Sequence, residues 1–167
     1  MDAQARLEAQ RDAALAALTE AVPYNRFIGV RFDRLGDELT ARMPYAEALI
    51  GNPFLPALHG GVTGAFLEIT ALTQLAWDQV WALMEEGGEA AAAVLEGRFP
   101  PIPKTIDITI DYLRSGRPRE IFARASVQKS GRRVANLHVE AWQDTRARPI
   151  ALLRGNFLMP PGPSADG

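Results

Sequence analysis

The stretch that decides the architecture runs from residue 59 to residue 84 and reads HGGVTGAFLEITALTQLAWDQVWALM. After His59 it contains no proline, and Val62, Phe66, Ile69, Thr73, Ala76 and Val80 recur three or four apart, which predicts one long helix from Gly61 to about Met84. Leu67 and Leu75 fall off that stripe. The helix is therefore apolar around most of its circumference, and other elements must wrap it on several sides. Glu68 is the one charged side chain between His59 and Trp77. A carboxylate on such a helix costs stability unless it is partnered or used, so it is the first residue to explain.

The elements available for wrapping lie on both sides. Residues 85–103, with Gly87-Gly88, an alanine run and Phe99-Pro100-Pro101-Ile102-Pro103, read as a helical turn followed by an extended connection. Four strand-like segments follow at about 104–114, 119–129, 133–144 and 149–159, punctuated by Gly116-Arg117-Pro118, Ser130-Gly131 and Arg148-Pro149. In the first of them, alternation sets Ile106, Ile108, Ile110 and Tyr112 on one face and Asp107, Thr109 and Asp111 on the other. Upstream, residues 3–21 carry Leu7, Leu15, Leu18 and then Val22 at helical spacing, and Pro23 stops the run. Residues 30–35 and 38–43 form a hairpin about Gly36-Asp37, with Leu39, Ala41 and Met43 sharing a face. Tyr45 to Gly61, with Pro53 and Pro56, reads as an irregular loop.

The order helix, β, β, helix, β, β, β, β, with long successive strands, favours hairpin-joined antiparallel pairing over crossover units. The expectation is an α+β hotdog fold: an antiparallel sheet of about six strands curled around the long helix, with an extra N-terminal helix. Its boundaries read as 1–24 for the N-terminal helix and linker, 25–159 for the hotdog domain and 160–167 for a disordered tail.

The whole chain of 167 residues is long enough for one domain with a sizeable core. Its 47% apolar and 23% charged residues are those of an ordinary folded protein. A net charge of −2 provides no global field for a nucleic-acid backbone, so no nucleic-acid partner is expected. The absence of cysteine removes disulfides, thiolate metal sites and a cysteine nucleophile. No secretory signal opens the sequence, and Val62 to Trp77 falls short of the roughly 20 apolar residues that cross a bilayer. A cytoplasmic protein without a membrane partner is the expectation.

At the mouth of the long helix, His59-Gly60-Gly61 combines two glycines with the first N–H groups of a helix, which lack internal partners and donate readily to an oxygen becoming negative. Taken alone, that triplet is as readily a flexible turn, and Glu68 as readily a satisfied carboxylate. Together they describe a place where a carbonyl is polarised and a base waits nearby, the two elements coming from one subunit or from two.

Three segments carry a resemblance. NPFLPALHGGVTGAFLEITALTQ at 52–74, TIDITIDYLRSG at 105–116 and KSGRRVANLHVEAW at 129–142 resemble the PaaI-like hotdog acyl-coenzyme A thioesterases, over nearly all of the chain after the first helix. In that family a His-Gly-Gly loop is followed, nine residues after its His, by an Asp or Glu; His59 plus nine is Glu68. The resemblance implies hydrolysis of acyl-coenzyme A to acid and thiol, without a metal or separate cofactor. Gly60, beside Gly61, would supply an N–H to the carbonyl oxygen, His59 would shape the loop, and Glu68 would be base or nucleophile. Asn52, seven residues before His59 where many relatives have six, would orient water or carbonyl. Thr105, seven before Tyr112, would hold the water, or else is an ordinary strand threonine.

Coenzyme A is polyanionic, and two turns are basic: Lys129 to Arg133 and Arg114 to Arg119. The family resemblance points to Arg132 and Arg133, with Lys129, as phosphate partners. His138 reads as structural or surface. Phe54, Leu55, Phe66, Trp77, Trp81 and Phe99 are either core or acyl-pocket lining, and residues 85–103 are placed to cover the entrance. The expected assembly is a dimer or dimer of dimers, because strand edges need covering. Two other functions fit the same fold: hydration or dehydration of an acyl thioester, and non-catalytic acyl-coenzyme A binding. Dehydratases resemble a pattern with Pro-Gly-Val closer to the helix Glu, where this chain has Leu58-His59-Gly60-Gly61.

Overall fold

In the computed structural model, which describes residues 2–161, a 27-residue helix α3 (Gly60–Glu86) lies across one sheet. Before it come α1 (Ala3–Glu20), α2 (Pro23–Ile28), β1 (Arg31–Leu35), β2 (Glu38–Met43) and a small hairpin of β3 (Ile50–Asn52) and β4 (Ala57–Leu58). After it come α4 (Gly88–Leu95), β5 (Lys104–Tyr112), β6 (Ile121–Ser130), β7 (Val134–Trp142) and β8 (Ala151–Leu158). Six strands form a single sheet in the order β1-β2-β6-β7-β8-β5, antiparallel at every junction. This is the expected hotdog fold. Residues 162–167, most of the expected tail, lie outside the described residues.

The helix is buried on several faces because its off-stripe residues are apolar as well. Phe66, Leu67 and Ala71 pack into the core against the sheet, with Ala135, Leu137 and Val139 of β7 and Leu153 and Phe157 of β8. Trp77, Val80 and Met84 form a second cluster with Ala14, Leu15 and Leu18 of α1 and Val94 of α4. Each large side chain so buried contributes roughly 1.5–3 kcal/mol of transfer free energy. Gly87 and Gly88, at φ 75° and 57°, take left-handed backbone that other residues avoid, and so break α3 from α4.

Three sequence readings are corrected. Pro23 begins a helix as well as ending one: it occupies the start of α2, where its missing N–H costs nothing, after Val22 in extended backbone. The segment before α3 is not wholly irregular, since it contains the β3–β4 hairpin. The alternation of β5 holds from Asp107 to Tyr112 and fails at Ile106. Thr105 pairs with Phe157 and Asp107 with Asn156, so Ile106 is the extra residue of a bulge and is 53% exposed.

Candidate active site

The bulge has a chemical consequence. Inward positions of β8 are Ala151, Leu153, Gly155 and Phe157, and their β5 partners are Tyr112, Ile110, Ile108 and, beyond the bulge, Thr105. One extra residue thus turns odd-numbered Thr105 to the face that even-numbered Ile108 and Ile110 share. There the Thr105 hydroxyl donates to Glu68 Oε1 at 2.5 Å. Gly155 makes the close strand approach possible: a Cβ there would meet Ile108 Cγ2 at 2.8 Å and the Asp107 carbonyl at 3.0 Å.

Glu68 is half-buried and forms no ion pair among the described residues. It lies on the wall of a cavity of about 300 Å³. The α3 side of that wall is one helical stripe, Ala65, Glu68, Ile69, Leu72, Thr73 and Ala76, and the opposite side is Leu18, Val22, Tyr24 and Asn25, with Ile102. None of the six residues weighed as pocket lining belongs to this wall. Phe54 is 97% exposed on the β3–β4 turn, Leu55 is exposed beside it, and Phe66 and Trp77 are sealed in the core. Trp81 and Phe99 pack with the α1 cluster instead. From residues 85–103, only Ile102 reaches the cavity. The N-terminal arm roofs it, a role that local periodicity does not signal.

The helix mouth is built separately. His59 is the N-cap of α3, and its Nδ1 accepts from the Gly61 N–H at 2.8 Å. Gly61 permits that contact, because a Cβ there would lie 2.9 Å from Nδ1. Gly51, overlooked in the sequence, supports the same imidazole: a Cβ there would lie 2.7 Å from His59 Cα and 2.8 Å from its Cδ2. The His59 N–H donates to the Leu49 carbonyl at 2.8 Å, and Tyr112 OH donates to the Gly60 carbonyl at 2.7 Å. The Gly61 donor is therefore consumed, whereas the Gly60 N–H has no partner among the described residues. Gly60 lines a second cavity, of about 400 Å³, with Thr63, Tyr112 and Arg114.

Asn52 does not approach either Glu68 or Gly60 by a hydrogen bond; its Oδ1 accepts from Phe54 N and Leu55 N, both at 3.1 Å, and fixes the β3–β4 turn. Arg132 and Arg133 line a third cavity with Leu158 and Met159, and Lys129 is exposed on β6 near the same turn. Across the sheet, Lys104, Leu158 and Val134 are successive partners, so Arg133 stands at the Thr105 end of the sheet. Arg114 to Arg119 occupy the other end, where Arg114 bonds the Pro149 carbonyl and Arg119 pairs with Asp144. His138 is exposed, opposite Ser126 and Arg154. No described helix is long and apolar enough to cross a membrane.

Within one chain, Gly60 and Glu68 are eight residues apart, about 12 Å of helix rise. They line different cavities.

Residues 79–150 match the family model described as "Thioesterase superfamily". The medium/long-chain acyl-CoA thioesterase YigI of Escherichia coli K12 is 29% identical over 121 residues, which are 71% of this chain and 74% of that protein. A crystal structure from Chromobacterium violaceum is 33% identical and superposes with a TM-score of 0.63, covering 93% of this chain and 96% of the other. A Bacillus halodurans protein crystallised with CoA shares the fold at a TM-score of 0.61 and 16% identity, over 95% and 93% of the two chains. With the six-stranded sheet around α3, these likenesses establish that the chain belongs to the thioesterase superfamily of hotdog proteins.

Proposed function

We propose that the chain hydrolyses acyl-coenzyme A thioesters, with Glu68 of one subunit and the Gly60 N–H of another acting on the same carbonyl. One observation carries the reading: a carboxylate held by a threonine hydroxyl on the wall of an otherwise uncharged cavity. Thr105 occupies Oε1, which leaves Oε2 free to work. That oxygen either takes a proton from water, which then bonds to the carbonyl carbon, or bonds to the carbon itself and is released by water in a second step. In both routes the C–S bond breaks: in the first, Glu68 passes the proton it took from water to the departing thiolate; in the second, the thiolate leaves as the anhydride forms and is protonated from solvent, and water then splits the anhydride to the free acid and the Glu68 carboxylate. The Gly60 N–H, at a helix N-terminus, stabilises the oxygen that becomes negative. His59 holds the loop in the shape that presents this donor.

A two-fold pairing that runs two α3 helices antiparallel brings each Gly60 mouth toward the other copy's Glu68, closing the gap of about 12 Å. Such a dimer, or a dimer of dimers, is the assembly we assign. Arg132 and Arg133, with Lys129, stand at the Glu68 end of the sheet and are assigned to the phosphates of coenzyme A. Asn52 serves the site by holding the turn in front of His59. Coenzyme A is part of the substrate, and water and one carboxylate balance the reaction without a separate cofactor. A chain without cysteine fits a cytoplasmic setting.

The test is release of free thiol from a panel of acyl-coenzyme A substrates by wild type and Glu68→Gln. The expected result is a loss of at least about a hundredfold in kcat for a folded variant. Wild-type turnover in the variant removes Glu68 from the chemistry. A hydroxyacyl or enoyl product assigns the protein to hydration or dehydration, and tight binding without turnover makes it a binding module.

A further inference from the structure

We propose that the trough between α3 and the N-terminal arm is the chamber for the acyl chain, closed at its far end by Leu18 and Ala76, and that these two residues set the length of a straight aliphatic acyl group. The inference rests on the thioesterase reading and names the substrate that this site takes.

The wall is the first argument. Ala65, Glu68, Ile69, Leu72, Thr73 and Ala76 follow one another at helical spacing, so the cavity runs along the helix as a trough and not across it. Of its eleven lining residues, Glu68 alone is charged. The one neighbouring amide, Asn25, is buried; its Nδ2 donates to the Thr19 carbonyl, and its Oδ1 has no partner among the described residues. An apolar trough with one carboxylate, a turn in from its Ala65 end, suits an acyl group whose polar end is its carbonyl and whose remainder is hydrocarbon.

The ends are the second. Thr105, bonded to Glu68, marks one end, and Ile102, three residues before it, lines the cavity on the side opposite α3. Leu18 and Ala76 mark the other, because both also belong to the packed cluster of α1 with Trp77 and Val80. They are 4% and 2% exposed, so the trough stops where that cluster starts. From Glu68 to Ala76 the helix rises about 12 Å. An extended chain advances about 1.25 Å per carbon given standard C–C lengths and angles, so roughly ten carbons fill the trough. An aromatic acyl group fills less than its nearer half and leaves the rest empty.

The experiment measures kcat/KM for straight-chain acyl-coenzyme A substrates of four to sixteen carbons, and for benzoyl-coenzyme A, with wild type, Ala76→Leu and Leu18→Ala. For wild type, each added methylene raises kcat/KM by roughly three- to fourfold up to about ten carbons, after which the gain stops. Ala76→Leu moves the optimum shorter by about two or three carbons, the length its side chain occupies, and Leu18→Ala moves it longer by a similar amount. Ala76 is packed against the core, so where Ala76→Leu fails to fold, Leu18→Ala decides the matter alone. An optimum unchanged in the folded variants, or benzoyl-coenzyme A preferred to the ten-carbon substrate, overturns the chamber while hydrolysis itself still stands. No hydrolysis of any substrate by wild type overturns the thioesterase reading beneath it.

Discussion

The first turn of α3 and its third turn make opposite uses of polar groups. At the first, nearly every donor and acceptor is committed: His59 takes the Gly61 N–H, Tyr112 takes the Gly60 carbonyl, and Leu49 takes the His59 N–H, which leaves the Gly60 N–H without a partner among the described residues. At the third, Glu68 has one partner, Thr105, and apolar walls otherwise. One end is a rigid frame around a single donor, and the other is a lightly held carboxylate in a trough. In the proposed mechanism each supplies half of the site, and neither half reads as catalytic on its own.

The sharpest way to break this division is to damage the halves in different chains. Gly60→Pro removes the free N–H and little else, because proline suits the first helical position and His59 already has extended backbone at φ −62°, ψ 131°. It should lower kcat by about a hundredfold, as Glu68→Gln does. When the two inactive variants are unfolded together and refolded as an equal mixture, half of the dimers contain one chain of each kind. Each such dimer has one intact site, so activity returns to about a quarter of wild type. If the halves worked within one chain, every site in the mixture would carry a lesion and the activity would stay at the level of the variants.

Thr105→Val tests the other half at smaller amplitude. It removes the hydroxyl on Oε1 while keeping the β-branched shape of the strand, and should lower kcat by about tenfold, with Thr105→Ser restoring most of it. Equal activity in all three would make Thr105 an ordinary strand residue.

The six-stranded antiparallel sheet and the long helix are legible in the sequence because both rest on local periodicity: a helix apolar on several sides needs a curved sheet, and Leu39, Ala41 and Met43 do alternate into the core; the strand order is not, since β5 lies beside β8 and not, as successive hairpins would have it, beside β6. The Thr105–Glu68 contact is not. The run Ile106 to Tyr112 alternates without a flaw, so nothing in it announces a bulge, which depends on how β8 meets β5 around Gly155. The roof of the trough was hidden for a similar reason. Pro23 is as good at opening a helix as at ending one, and only long-range packing carries Leu18 and Asn25 over α3. His59 and Gly61 were noticeable as a motif, whereas Gly51 owes its importance to a neighbour eight residues away.

The frame at the helix mouth can be tested apart from the chemistry. His59→Ala leaves the Gly61 N–H without its cap and should cost about 1 kcal/mol of stability by thermal or urea unfolding. Asn at position 59 supplies another cap acceptor and should recover most of that stability. If His59→Ala were as stable as wild type, the imidazole would not be what holds the loop. Recovery of stability without recovery of kcat in His59→Asn would show that the loop needs the shape of the imidazole as well as its acceptor.

The smallest effect concerns how the roof stays on. Arg34 of β1, its side chain 4% exposed, reaches Glu8 at 2.8 Å and Asp12 at 2.8 Å on α1, while Arg11 of the same helix pairs with Glu8 and with Glu85 of α3. The Arg34 hydrogen bond, with help from Arg11, holds the Glu8 carboxyl below the usual range, against a smaller opposing push from burial. A carboxyl lowered in the folded state adds stability above its ordinary value, and that stability fades as pH falls through the lowered one. Glu8→Gln should therefore have a slightly lower Tm at neutral pH, and the difference from wild type should close as the solution is acidified below the ordinary carboxylate range. A difference that stayed constant across that range would mean that α1 is held by Leu15 and Leu18 in the core and not by its charges.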